Sequence, residues 1–132
     1  MDDSAWPSSR RYLIGSLANW LLFLATIALL AWGSGEGRLP AGLLWVIALL
    51  HAASVAAQFF AAYRLIAAQD EFVRAITAKR IVAATGVTIT AAVLCGVAVQ
   101  FLGAPPVPMW VVYPFFWGAF GLVTSFIADS RP

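Results

Sequence analysis

Long apolar stretches set the pattern of this chain, separated by short charged, glycine-rich or proline-rich pieces. No charged side chain occurs at 12–35, 39–63 or 81–128. A helix crosses the hydrocarbon core of a bilayer with about 20 apolar residues, so the first two runs hold one span each and the third has room for two. The pattern predicts helices at about 12–32, 40–63, 81–102 and 109–128. A helix that is apolar on every side belongs in lipid or in a core. The expected fold is all-α: a single polytopic membrane domain of four transmembrane helices in an antiparallel bundle.

The breaks between spans have physical causes. Gly33-Ser34-Gly35-Glu36-Gly37 ends the first run, because glycines lose too much backbone freedom to continue a helix. Pro40 suits the first turn of the second span, where its missing N–H has no partner to lose. Gly103 to Pro108 holds Pro105, Pro106 and Pro108 and must be a loop. Pro114, inside the fourth span, predicts a kink or a local loosening. Tyr12, Trp32, Trp110, Tyr113 and Trp117 fall near span ends, where amphipathic rings favour the interface. Residues 1–11 are polar and aperiodic and read as a mobile arm. Ser9-Arg10-Arg11 loosely resembles a twin-arginine export signal, but the long apolar run behind it points to an uncleaved signal-anchor.

Inside the chain, charges cluster only between Arg64 and Arg80, in RLIAAQDEFVRAITAKR. This stretch reads as a hinge between two pairs of spans. With Asp70 as N-cap, residues 70–80 form a helix carrying Phe72, Val73 and Ile76 on one face and Asp70, Glu71, Arg74 and Thr77 on the other. Lys79 and Arg80 flank the apolar face, where long stems can lie along lipid and lift their charges to headgroups.

Composition confirms the solvent. The chain is 62% hydrophobic and 11% charged, against roughly a quarter charged in soluble domains. A net charge of +2 is too thin for a phosphate-tracking groove, which excludes direct nucleic-acid binding. The basic residues instead set direction: Arg10, Arg11, Arg64, Arg74, Lys79, Arg80 and Arg131 share one side and only Arg38 the other, so both termini and the hinge are expected in the cytoplasm. Cys95, the sole cysteine, is expected to be a small buried packing residue. Ala48, Ala52 and Ala56, like Ala53, Ala57 and Ala61, recur at intervals of four, which lets helix backbones approach closely. Span 2 is therefore expected at the centre of the bundle. Span 3, with Ala83, Ala84, Gly86, Ala91, Ala92 and Gly96, is read as another close-packing helix.

Candidate chemistry within the spans rests on Asn19, His51, Gln58, Thr85 and Ser125. Depth along the spans would let Asn19, Gln58, Thr85 and Ser125 meet at one level and fix helix register by hydrogen bonds. A histidine near mid-span can shuttle protons, but no carboxylate lies near His51 in sequence. It reads as a neutral side chain bonded to a backbone carbonyl or hydroxyl. Second and third metal ligands for it are missing, no base pairs with the serines and threonines, and nothing implies a cofactor or an enzyme.

The order D-E-x-x-R-x-I, here Asp70, Glu71, Arg74 and Ile76, followed by Gly86 and by Tyr113-Pro114 in the last span, resembles a group of small four-span bacterial inner-membrane proteins. Members are often encoded beside a small helix-turn-helix regulator. The resemblance implies a bacterial inner-membrane location and a cytoplasmic partner, such as a DNA-binding regulator, restrained at the bilayer through Asp70, Glu71 and Arg74; Lys79 and Arg80 join them as partner-binding candidates from the charge cluster itself. The continuation Thr77-Ala78-Lys79-Arg80 is less polar than the group's. Two alternatives remain. In length and span number the chain resembles the small multidrug resistance transporters, which act as oligomers, but span 1 lacks their embedded glutamate. An accessory subunit of a larger membrane complex, or a homo-oligomer, would use the same small-residue faces.

Overall fold

The computed structural model describes residues 5–127. Among them the chain is helical with no strand: α1 (Ala5–Ser34), a 3-10 turn (Gly35–Gly37), α2 (Ala41–Ala67), α3 (Glu71–Phe101), a second 3-10 turn (Met109–Val111) and α4 (Val112–Phe126). Counting the second 3-10 turn with α4, the described residues hold four helices long and apolar enough to cross a membrane. Large apolar side chains cover the surface, among them Leu21, Trp45 and Phe101 at 68%, 71% and 76% exposure. In water such a surface would aggregate; in lipid it is the solvated face. The protein is an integral, multi-pass membrane protein.

The chain divides after Ala68 into two compact helical hairpins, α1 with α2 and α3 with α4. In the first, side chains withdrawn from solvent follow an alternation of three and four along both helices. On α1 the row runs through Tyr12, Ser16, Asn19, Phe23, Thr26, Leu30 and Gly33, with Trp20 and Ile27 beside it, and on α2 through Leu44, Ile47, His51, Ser54, Gln58, Ala61 and Leu65, with Ala48, Val55, Ala62 and Ile66 beside it. That spacing is the seam of left-handed helix pairs. Gly33 closes it: a Cβ there would run into the side chain of Leu39 and lie 3.3 Å from Leu44.

The second hairpin has an apolar core of Ala84, Phe116 and Ala119, with Trp117 and Phe120 packed against it. Its helices are unequal. The 31 residues of α3 rise about 46 Å at 1.5 Å each, well beyond a 30 Å hydrocarbon core. The 15 residues of α4 rise only about 22 Å.

Several sequence expectations need correction. Ala5 to Arg11 form the opening turns of α1, not an arm; residues 1–4, and 128–132 with the expected C-terminal tail, lie outside the described residues. The hinge is no separate segment, because residues 71–80 run unbroken into span 3 as one helix. Pro114 is not an interior proline of a continuous α-helix: the regular helix begins at Val112 after the 3-10 turn at Met109–Val111, so the loosening lies ahead of the proline, which sits in the first turn where no N–H is required. Cys95 is exposed. Of the alanine rows only Ala48 and Ala61 are partly buried, while Ala52, Ala53, Ala56 and Ala57 are exposed, since the hydrogen-bonding row sets which face of α2 meets α1. Gly86 and Gly96 of α3 are likewise exposed, whereas Ala84 is fully buried.

Candidate functional site

Two features gather the polar chemistry: the seam of the first hairpin and the turn at 64–80. In the seam, Gln58 is 2% exposed. Its amide nitrogen donates to Ser16 Oγ at 2.9 Å and to Tyr12 Oη at 3.3 Å. Its carbonyl oxygen accepts from Asn19 Nδ2 at 3.3 Å. Asn19 Nδ2 also donates to the Ser54 carbonyl at 2.6 Å, and Ser54 Oγ donates to the carbonyl of His51 at 2.7 Å. Each amide nitrogen carries two protons, and both donors here have two acceptors.

One helical turn further along, His51 Nδ1 lies 2.7 Å from Thr26 Oγ1. The threonine oxygen is also 2.8 Å from the Leu22 carbonyl and 2.9 Å from that of Phe23. A single hydroxyl proton serves these carbonyls when Nδ1 carries the imidazole proton and donates to Oγ1, the tautomer that satisfies every group in the contact. Phe23, 2% exposed, lies against the ring with centroids 4.4 Å apart. The hydroxyl partner expected for His51 is therefore Thr26.

Thr85 and Ser125 belong to the second hairpin. Thr85 is half-buried on α3, and the exposed Ser125 hydroxyl reaches back to the Gly121 carbonyl of its own helix at 3.5 Å. Within the first hairpin Asn19 and Gln58 do meet. Sequence reasoning does not find Tyr12, Ser16 and Ser54 as their partners, nor Thr26 as the partner of His51, though the three-four spacing of 12, 16, 19, 23 and 26 is present in the sequence.

At the turn, Asp70 Oδ1 accepts from the Val73 N–H at 2.9 Å, the N-cap expected of it. Thr77, expected on the polar face, is half-buried and sits 2.9 Å from the Val73 carbonyl and 3.2 Å from Gln69 Oε1. Arg74 Nη2 donates to the Gln69 carbonyl at 2.9 Å, tying the first two turns of α3 to the connection. Arg80 is half-buried and does not reach along lipid: its Nε and Nη2 donate to the Ile127 carbonyl at 3.2 and 2.7 Å. It thereby caps the end of α4, which leaves late carbonyls without helical partners. Glu71 and Lys79 are exposed on α3, and Arg64 is exposed on the last turn of α2. The turn thus presents both signs of charge on a helix whose start is pinned.

Among the described residues no group of three metal-ligating side chains comes together. Compared with known proteins, the chain matches no family model, no curated protein and no solved structure.

Proposed function

We propose that this protein is a non-enzymatic bacterial inner-membrane protein, with both termini cytoplasmic, that holds a cytoplasmic protein partner at the bilayer through the turn at 64–80. The observation that carries the reading is the charged start of α3: Glu71, Arg74 and Lys79 stand exposed on backbone fixed by the Asp70 cap and the Arg74–Gln69 bond. A preorganised surface of mixed charge gives selectivity and correct orientation more than raw affinity. The partner class, a DNA-binding regulator of the helix-turn-helix type, follows from the resemblance of the Asp70-Glu71-Arg74-Ile76 motif.

Asp70 and Arg80 hold the fold and are poor probes of binding. The test is charge reversal at Arg64, Glu71 and Lys79 together, in the full chain, followed by co-purification from the native host in mild detergent. A cytoplasmic partner captured with the parent chain and lost with the variant, at unchanged membrane insertion, is expected; undiminished capture sinks the reading.

A second reading, an accessory subunit of a larger membrane complex, is favoured by the exposed row of Ala52, Ala53, Ala56 and Ala57 on α2. Small residues at that spacing suit close approach of another helix. Replacing Ala53 and Ala57 by leucine would then shrink the native complex, with the charged turn untouched.

A further inference from the structure

Arg11 and Arg64 bracket the charge-free runs of the first hairpin: one directly precedes 12–35, the other directly follows 39–63. The bonds of the seam fix how the two helices stand against each other. His51 faces Phe23 and Thr26, and Gln58 faces Tyr12 and Ser16. Arg64 lies about as far beyond His51 on α2 as Arg11 lies before the Phe23–Thr26 turn on α1, so the two arginines come to one level. Each also comes one residue before a member of the seam, Tyr12 on α1 and Leu65 on α2. One residue turns a helix by about 100°, and in an antiparallel pair equal turns back from a shared seam lead to the same side. Arg11 and Arg64 therefore share one side of the hairpin.

Both are exposed, and among the described residues neither side chain enters an ion pair or a hydrogen bond. The only described acid of that hairpin is Glu36, at the opposite end and paired with Arg38. Tyr12 Oη accepts from Gln58, which leaves the tyrosine's own proton to donate. This end of the hairpin thus offers donors and positive charge with no acceptor of its own. Two neighbouring cations repel until an anion joins them, and the arginine fork matches phosphate oxygens. We propose that Arg11 and Arg64 together bind the phosphate of one anionic phospholipid, with the Tyr12 hydroxyl as a further donor. Depth selects lipid as the source, because the ends of charge-free spans meet the headgroup layer. Charge selects an anionic headgroup, since a zwitterionic one brings a cation of its own toward the arginines.

The experiment titrates the full chain in mild detergent with phosphatidylglycerol and, separately, with phosphatidylcholine of the same acyl chains, and counts bound lipid by native mass spectrometry. One phosphatidylglycerol held in preference is expected. Arg11→Gln and Arg64→Gln should each lower that preference about fivefold, and the double variant should abolish it. Arg64→Lys, which keeps the charge and loses the fork, should fall between. Arg10, turned about 100° further round α1, faces away from α2, so Arg10→Gln should leave the preference unchanged. Equal losses from Arg10→Gln and Arg64→Gln, meaning a diffuse basic belt, overturn the proposal. So does a parent chain that holds both lipids alike, or displacement of phosphatidylglycerol by millimolar inorganic phosphate, meaning a site for a free anion. An Arg64→Gln effect that vanishes once Glu71→Gln is also present overturns it too, because the arginine would then serve that carboxylate. Glu71 and Lys79 are intact in the arginine variants, so capture of a protein partner remains a separate readout.

Discussion

Gln58 shows what a single polar side chain does inside the first hairpin. Its amide reaches Tyr12, Ser16 and Asn19, so Gln58→Leu removes a whole set of bonds without changing much volume. At about 0.6 kcal/mol for each interhelical bond in a membrane protein, the loss is about 1–2 kcal/mol, measurable as earlier unfolding of the reconstituted protein in denaturing detergent. A double-mutant cycle with Asn19→Leu should recover a coupling of about 0.6 kcal/mol; zero coupling would mean the 3.3 Å contact is not formed in lipid. Asp70 acts at its own helix end. Asp70→Ala is expected to lower stability by about 1 kcal/mol, whereas Asp70→Asn, which keeps an acceptor, should come close to the parent in the same assay. That cap was legible in the sequence, since an aspartate before an amphipathic stretch has few other roles. The seam was legible only in part: Asn19 and Gln58 attract notice as amides, but Ser16 and Ser54 look like the many other small residues in apolar runs.

Helix ends separate what the sequence states from what it does not. The four spans follow from charge-free runs, and their existence was readable at once. Their ends depend on local satisfaction of backbone groups, which hydropathy does not register. Thus α3 starts ten residues before its apolar run, because the Asp70 cap and Arg74 give an amphipathic segment a reason to be helical. The apolar run places Pro114 inside a span, yet the three prolines upstream delay the α-helix until that position lies in its first turn. Arg80 is the clearest miss, since its role depends on the distant Ile127 carbonyl. Arg80→Ala is expected to fray the last turn of α4, seen as faster amide exchange at 124–127. Lysine should restore it poorly, lacking the forked donors that let Nε and Nη2 reach one oxygen together.

At the scale of the whole chain, the two hairpins each carry their own seam, one polar and one aromatic. Each is therefore expected to insert when made separately: fragments 1–68 and 69–132 should resist alkaline extraction and keep their helical circular dichroism. Failure of either fragment would show that its seam is insufficient alone. The link between α1 and α2 bears on how the first hairpin is built. Glu36 takes a left-handed backbone, φ 55°, and its carboxylate lies 3.3 Å from Arg38 Nη2. Arg38 also donates to the Trp32 carbonyl at 3.1 Å and stacks over the Trp32 ring. The two side chains cancel each other's charge, so in the proposed orientation, with both termini cytoplasmic, the transmembrane voltage does no net electrical work when this link is carried across the bilayer. Glu36→Gln would leave one uncompensated cation and couple the passage to the voltage by about 2.3 kcal/mol per 100 mV, so that insertion yield should begin to follow the potential imposed on energised vesicles.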